Sequence, residues 1–198
     1  TGVAAQNYLG SGTIKDDADS KNYANVNIDG ITPEYLEYMK LEMHAGRNLT
    51  KADNQGKKRV CLIADTMAER YFAGKDPIGE TLSVATSDGG IFDFVVVGVY
   101  VYNQALFGKV DTSIPEKDRV TELMIPLQTY FKLQGTDRTG YDYFNLMIDP
   151  LADVNQATTD VLSYFDEMYA NNKNFHVSAY NMASDLGMIN TVLNVITI

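Results

Sequence analysis

Hydrophobic and polar positions alternate along the chain in short blocks, and these blocks predict a series of strands with short helices between them. The strands are expected at 3–9, 22–31, 58–63, 80–86, 91–102, 120–125, 141–148 and 174–180. Ser87-Asp88-Gly89-Gly90 separates two of these strands and is a polar turn typical of a hairpin. Since strands and helices interleave, the pattern predicts a mixed α/β (α+β) fold.

Two of the predicted helices begin at a recognisable capping residue. Thr32 is expected to cap a short helix over 33–41, with Pro33 at its first position. Asp65 is expected to cap a second helix that continues to about residue 73 and that Gly74 ends.

A third helix has the most regular pattern. Asp153 is expected to cap it, and its apolar residues fall on one stripe: Val154, Ala157, Val161, Phe165 and Met168. Because a strand is predicted on either side, this segment predicts a β-α-β unit with a right-handed crossover.

Composition excludes several classes of protein. The chain has 198 residues, a formal net charge of −10 and 45% hydrophobic residues, which is typical of a globular protein that does not bind nucleic acid. Cys61 is the single cysteine, so a disulfide framework and a cysteine zinc site are excluded. Its apolar neighbours predict a buried, unreactive thiol.

The sequence indicates no catalytic, cofactor or metal site. The two histidines, His44 and His176, lie outside any metal-binding pattern, and Walker A, G-x-G-x-x-G and nucleophile-elbow patterns are absent. Asp16, Asp17 and Asp19 lack the glycine and glutamate of a calcium loop. Arg47 could position a carboxylate or a carbonyl with its planar guanidinium, and we interpret that role as structural.

One loop has the composition of a contact surface. Leu106 and Phe107 lie between polar residues in 103–109, and exposed apolar residues on a long loop often contact a partner. Apolar residues that anchor a loop to its own core are at least as common. Both interpretations stay open at this stage.

The end of the chain is apolar and almost uncharged. No run reaches the roughly 18 residues of a membrane helix. Residues 188–198 nevertheless have the composition of the beginning of one, and a C-terminal helix packed on the core is the alternative. The residues that would form a helix-pairing seam here are Leu186, Ile189, Leu193 and Ile196.

Two ordered groups of residues resemble a known family. The first group is Ile31-Thr32-Pro33-Glu34-Tyr35-Leu36 followed by Gly46-Arg47-Asn48-Leu49. The second is Phe72, Asp76-Pro77-Ile78-Gly79 and Phe94-Val95-Val96-Val97-Gly98-Val99. In this order the chain, from about residue 22 onward, resembles the extracytoplasmic core domain of MacB-type (FtsX-like) ABC transporter permeases.

The resemblance implies a porter-like β-α-β subdomain with an inserted, sabre-like mixed α/β subdomain. By position, 1–50 and 140–181 would form the porter-like subdomain and 51–139 the insertion. Residues 182–198 would form a membrane-proximal stalk helix. The domain would lie on the extracytoplasmic side of the cell membrane, either periplasmic or extracellular.

The resemblance also implies a function without covalent chemistry and without a cofactor. Such domains couple ATP binding and hydrolysis in a cytoplasmic ABC ATPase to export (efflux) of a substrate or to force transmission (mechanotransmission). The implied partners are that ATPase, a second permease in a homodimer or heterodimer, and a membrane-fusion or adaptor protein.

Two other functions stay open. A free-standing extracytoplasmic ligand-binding module would use a cleft lined by Tyr141, Tyr143 and Tyr180. A hydrolase would need a convergent acid or nucleophile pair, and the sequence nominates none.

Overall fold

The computed structural model describes residues 2–16, 19, 21–103, 106–107, 113–135, 144–149, 151–174 and 177–179. The chain divides into two compact units, residues 2–147 and residues 148–198 together with residue 1. Among the described residues, the first unit contains all nine strands and four α-helices, and the second contains one α-helix.

The bounds of the elements are as follows. The strands are β1 (Gly2–Ala4), β2 (Gln6–Lys15), β3 (Tyr23–Ile31), β4 (Met43–Gly46), β5 (Val60–Ala64), β6 (Thr81–Thr86), β7 (Ile91–Tyr100), β8 (Val120–Pro126) and β9 (Asn145–Met147). The helices are α1 (Tyr35–Tyr38), α2 (Lys51–Gln55), α3 (Asp65–Phe72), α4 (Leu127–Leu133) and α5 (Val154–Met168). A short 3₁₀ helix, Glu116–Asp118, precedes β8.

Seven strands form one sheet in the order β4-β7-β5-β8-β3-β2-β6. Strand β6 also pairs with β7. The strand pairs therefore form a closed ring in the order β7-β5-β8-β3-β2-β6-β7. The β3–β8 and β5–β7 pairs are parallel, and the other pairs of this sheet are antiparallel. Strands β1 and β9 form a separate two-stranded sheet.

The two faces of β3 differ in polarity, as the alternating sequence predicts. Ala24, Val26 and Ile28 are fully buried in the main hydrophobic core. Asn27 and Asp29 face the opposite side, and register places Asn27 opposite Glu122 of the neighbouring β8. This second face is where polar side chains collect.

Helix α4 packs directly on the end of β3. A Cβ atom at Gly30 would lie 2.4 Å from Cβ of Tyr130 and 3.3 Å from Cδ1 of Leu127, so only glycine allows this approach. Leu127 and Phe131 are buried with Ala5 in a small second cluster.

Most predicted strands are confirmed, and so is the hairpin formed by β6 and β7. In the second unit, Asp153 caps α5 by accepting hydrogen bonds from the N–H groups of Asn155 (2.9 Å) and Gln156 (3.1 Å), as predicted. The expected strand over 174–180 does not appear in its described residues, 174 and 177–179.

The prediction for the first helix is wrong at its start. Helix α1 begins at Tyr35 and has no side-chain cap. The Thr32 hydroxyl instead accepts a hydrogen bond from the Ala5 N–H (3.0 Å) and donates to the Val3 carbonyl (3.3 Å). Thr32 therefore ties the end of β3 to the segment between β1 and β2.

Asp65 also differs from its predicted role, because it is the first residue of α3 and not the residue before it. Its carboxylate accepts hydrogen bonds from the N–H groups of Thr66 (2.7 Å) and Tyr102 (3.0 Å). The side chain thus joins the beginning of α3 to the residues that follow β7.

Candidate functional site

Two of the segments behind the family resemblance, Gly46-Arg47 and the turn that ends at Gly79, meet a third segment, β7. Gly46 pairs with Gly98 across β4 and β7, and the Arg47 N–H donates to the Val97 carbonyl (2.9 Å). The turn that ends at Gly79 is joined to the same strand, because the Gly79 N–H donates to the Val96 carbonyl (2.8 Å). Segments far apart in sequence are therefore held together by backbone contacts.

The two glycines permit this close approach. A Cβ atom at Gly98 would lie 2.3 Å from the Arg47 carbonyl oxygen and 2.6 Å from Cε of Met43. A Cβ atom at Gly46 would lie 2.4 Å from the Val97 carbonyl oxygen, and Gly46 also has a positive φ of 69°. These positions serve architecture and present no reactive group.

Arg47 positions a carboxylate and a carbonyl, as its planar guanidinium group suggested. Its Nη1 donates to Oδ2 of Asp53 (2.7 Å) and to the Asn48 carbonyl (2.9 Å). Asp53 is fully buried and also accepts from Nζ of Lys58 (3.0 Å). Thr50 and Asp53 form a capping box at the start of α2. Arg47 therefore fixes α2 to the end of β4.

Burial alone would raise the pKa of Asp53, but the hydrogen bonds from Arg47, Thr50 and Lys58 outweigh it and hold the pKa well below its usual range. The sequence analysis missed this residue. The spacing Thr50-x-x-Asp53 was the available signal, since an acid three residues after a threonine is typical of a helix start.

A different arrangement surrounds Asp29 and Glu122, which are 3% and 8% exposed. They lie on the neighbouring parallel strands β3 and β8. Glu122 pairs with Asn27, which lies two residues before Asp29 and therefore on the same face of β3, so the two acids face the same side of the sheet. None of the ion pairs among the described residues includes either carboxylate. We call these two residues the acid pair.

Burial raises the pKa of both members of the acid pair. The pKa of Asp29 rises to about 6, although a hydrogen bond from Gln6 opposes the shift. The pKa of Glu122 rises to about 7, through burial and the nearby Asp29 carboxylate, against hydrogen bonds from Asn27 and Tyr102. The pair therefore changes its protonation between weakly acidic and neutral pH.

One oxygen of Glu122 has no partner. The side chains of Asn27 and Tyr102 lie near it and lower its pKa, and within the described part of the chain the buried Oε2 has no hydrogen-bond partner. The hydroxyl of the fully buried Tyr100 donates to the backbone carbonyl of Glu122 (2.7 Å). Two tyrosines of the β7 end therefore surround this residue.

The acid pair was not predicted from the sequence. Each acid stands alone in an apolar strand, Asp29 after Val26-Asn27-Ile28 and Glu122 before Leu123-Met124-Ile125. An acid inside a buried strand is a usable signal, but the pairing of β3 with β8 is needed to bring the two together.

The predicted contact residues Leu106 and Phe107 have different environments. Leu106 is 42% exposed. Phe107 is half-buried against the core, and its ring is stacked on Tyr102 with centroids 5.3 Å apart and planes 4° apart. Phe107 is thus an anchor of the loop, and Leu106 is the apolar side chain beside it that faces outward.

The remaining predicted residues fall into three groups. Cys61 is buried, as predicted, and burial raises the pKa of its thiol. His44 lies exposed in β4, and Asp16 and Asp19 accept hydrogen bonds within their own turn. The seam residues Leu186, Ile189, Leu193 and Ile196, the tyrosines Tyr141, Tyr143 and Tyr180, and His176 and Asp17 lie outside the described residues.

The described residues contain no group of three or more histidine, cysteine or acidic side chains arranged to hold a metal ion. No helix within the described ranges has the length and apolar composition needed to span a bilayer.

Comparison with known proteins gives one family. The model of the MacB-like periplasmic core domain matches residues 1–164. Among curated proteins, none matches the sequence closely enough to count as a relative.

Solved structures with the same fold come from bacterial transporters. The periplasmic region of MacB from Actinobacillus actinomycetemcomitans has a TM-score of 0.61 and 22% identity, over 86% of this chain and 68% of its own. The extracellular domain of YknZ, a noncanonic ABC-type transporter from Gram-positive bacteria, has a TM-score of 0.60 and 19% identity, over 89% and 80%. A domain of a Porphyromonas gingivalis permease has a TM-score of 0.52 and 15% identity, over 84% and 63%. At these identities the likeness establishes the fold.

Proposed function

The chain belongs to the family of MacB-like periplasmic core domains, extracytoplasmic parts of ABC transporter permeases, and from this premise we propose that it couples a cytoplasmic ATPase to work outside the membrane. The domain performs no catalysis itself. It moves as a body when ATP binds and is hydrolysed, and it exports a substrate or transmits force to a partner.

The observation that supports this function is the match over residues 1–164. The contacts around β7 add a physical reason, because they join β4, the Gly79 turn and β7 through backbone hydrogen bonds of 2.8–2.9 Å. Transmission of a movement requires a body that does not deform, and such contacts resist deformation.

We propose three partners for the whole protein. They are the ABC ATPase, a second permease subunit, and an adaptor or membrane-fusion protein that contacts Leu106 beside the Phe107 anchor. The exposed Leu106 supports the last of these. The seam of Leu186, Ile189, Leu193 and Ile196 would pair permeases near the membrane.

The division into a porter-like subdomain (1–50 and 140–181), a sabre-like insertion (51–139) and a stalk (182–198) stays a prediction. The seven-stranded sheet takes β2, β3 and β4 from the first segment and β5 to β8 from the second. If the two parts move relative to one another, they do so across strand pairs.

The test uses the full-length membrane protein with Leu106→Cys. The substituted thiol should react with a membrane-impermeant maleimide on intact cells, and the protein should stay in the membrane after a carbonate wash. The unsubstituted protein is the matched control for this chain, because Cys61 is fully buried. A soluble product released by carbonate would contradict the proposal and favour a free-standing ligand-binding module.

A second step tests coupling. In the purified transporter, the labelling rates of Leu106→Cys and of Ile91→Cys, at a side chain that is 70% exposed on the β6–β7 hairpin, are compared with and without a non-hydrolysable ATP analogue. At least one rate should change with nucleotide. If the nucleotide analogue changed neither labelling rate, the domain would not respond to the ATPase.

A further inference from the structure

We propose that residues 47–59 form a docking surface for an acidic segment of a partner protein. We call these residues the basic segment. The partner is defined by its chemistry, a stretch of chain with clustered aspartate and glutamate side chains. The inference goes beyond the coupling function proposed above and does not depend on it.

Charge is distributed unevenly along the chain. The basic segment contains five of the 16 lysines and arginines but only one of the 26 acids. The five cations are Arg47, Lys51, Lys57, Lys58 and Arg59, and the acid is Asp53. The rest of the chain contains 11 cations and 25 acids. The basic segment is therefore a local positive surface on a chain whose net charge is −10.

The basic segment folds back on itself, which brings its cations together. Nη1 of Arg47 and Nζ of Lys58 donate to the two oxygens of the Asp53 carboxylate, at 2.7 and 3.0 Å. The Thr50 N–H also donates to this carboxylate (3.0 Å). Both ends of the segment are thus fixed to one buried group. Cations held within roughly the 10 Å Debye length of 0.1 M salt act on a partner together.

The five cationic residues are exposed, and three of them have little or no counter-charge. The side chain of Lys51 is 81% exposed and lies 3.7 Å from a Glu34 oxygen. Within the described part of the chain, Lys57 and Arg59 take part in no ion pair. Asp53 neutralises part of the charge of the other two cations. The charges open to a partner are therefore those of Lys51, Lys57 and Arg59.

The neighbouring helix α4 adds no compensating charge. The Gln128 N–H of α4 donates to Oδ1 of Asn54 in α2 (2.9 Å). The Thr129 hydroxyl donates to the Lys58 carbonyl (2.8 Å). Helix α4 contains no acid, and its one charged residue is Lys132. The positive surface is therefore uncompensated on this side.

The composition of the surface favours an acidic protein segment over an anionic bilayer. Leu49, the one large apolar residue of the basic segment, is 3% exposed, so no large apolar side chain is offered to a bilayer interface. The whole chain, with a net charge of −10, is repelled by an anionic bilayer. A protein segment needs complementary charge only over the few residues that it contacts. The exposed Gln55 amide can also hydrogen-bond to such a segment.

The test measures the binding of a fluorescent peptide of about ten glutamates to the full chain at pH 7, by fluorescence anisotropy. Binding should be detectable at about 20 mM salt and about tenfold weaker or more at about 300 mM, because salt screens exposed charges. The triple variant Lys51→Gln/Lys57→Gln/Arg59→Gln should weaken low-salt binding about tenfold, as expected from the loss of three exposed ion pairs. This variant keeps the two cations that hold Asp53.

The matched control is Lys15→Gln/Lys75→Gln/Lys117→Gln, which makes the same change in net charge at three exposed lysines. Lys15 pairs with Tyr23 at the beginning of β3, whereas α4 and the basic segment lie at the end of that strand. The control variant should bind the peptide within about twofold of the parent chain.

A second measurement uses the unsubstituted chain and needs no variant to fold. Bound peptide should protect Lys51 and Lys57 from acetylation by N-hydroxysuccinimide acetate. Lys15 and Lys75 should stay reactive. Mass spectrometry of the acetylated chain measures all four lysines in one experiment.

Three results would overturn the inference. The first is no peptide binding at low salt. The second is the same affinity for the peptide in both triple variants, or equal protection of the four lysines. The third is binding to vesicles of equal parts phosphatidylglycerol and phosphatidylcholine that the basic-segment variant abolishes, which would assign the surface to a membrane. None of these results bears on nucleotide coupling, so failure here is distinct from failure of the transporter proposal.

Discussion

Asp53 and Asp29 are both buried aspartates with opposite pKa shifts, and their neighbours explain the difference. Asp53 receives hydrogen bonds from Arg47 and Lys58, and its pKa is held low. Asp29 has no cationic partner among the described residues, and burial raises its pKa to about 6 against a hydrogen bond from Gln6. Burial disfavours charge in both cases, so the partner determines the sign.

Replacing Asp53 should destabilise the fold. Asp53→Asn leaves Arg47 and Lys58 without a counter-charge and places an amide N–H group against donors. We expect a loss of about 2–3 kcal/mol in the free energy of unfolding, somewhat less than for a fully buried pair because both cations are half-exposed. Urea unfolding at pH 7 measures it.

The matched control for this variant is Glu69→Gln, since Glu69 is an exposed acid on α3. It should change stability by less than about 0.5 kcal/mol. Equal unfolding midpoints for Asp53→Asn and Glu69→Gln would show that the Arg47–Asp53–Lys58 contacts contribute little.

At the scale of elements, the pairing of β4 with β7 requires a residue without a side chain at Gly98. A Cβ atom at Gly98 would meet the Arg47 carbonyl at 2.3 Å, and a backbone atom cannot move aside without shifting β4. Gly98→Ala should therefore cost about 1–3 kcal/mol in stability. It should also reduce amide protection at Arg47, whose N–H donates to Val97.

A substitution on the same strand provides the comparison. Val95→Thr keeps a β-branched residue at a position that is 37% exposed and should stay within about 0.5 kcal/mol of the parent chain. If Gly98→Ala were as stable as Val95→Thr, the close approach of the two strands would not be a constraint on this position.

The accuracy of the sequence-based element predictions follows how local each signal is. The β6–β7 hairpin and α5 were predicted because a polar turn and the Asp153 cap act within a few residues. Helix α1 was misplaced because Thr32 had an alternative partner, the Ala5 backbone, 27 residues away. A capping residue predicts a helix start only when no distant backbone group takes its side chain.

At the scale of the whole molecule, the order of the strands could not be predicted. The mixed fold followed from the hydrophobic periodicity of the sequence. The closed ring of strand pairs did not, because it depends on contacts of β6 with both β2 and β7. The acid pair depends on the same unpredicted order, because β3 and β8 lie about 90 residues apart in sequence and are adjacent in the sheet. The chemistry of single residues was visible in the sequence, and their proximity was not.

The pH profile of stability combines the buried acids of the whole molecule. Asp53, with a lowered pKa, stabilises the fold above about pH 4, and this contribution is lost as pH falls further. The acid pair, with raised pKa values of about 6 and 7, contributes stability that is lost as pH rises from about 4 to 7. Together these two contributions favour a maximum of folding stability near pH 4–5, where both are present.

Thermal unfolding of the parent chain and of the Asp29→Asn/Glu122→Gln double variant tests this profile. We expect Tm of the parent to fall between pH 5 and pH 8 by about 6–12 °C more than Tm of the variant, which corresponds to about 3 kcal/mol at roughly 2–4 °C per kcal/mol. The difference between the two profiles isolates the acid pair from the other acids of a chain with net charge −10. Parallel profiles would mean that both carboxyls reach water in the folded state, and the strands β3 and β8 would then hold them less deeply than their 3% and 8% exposure implies.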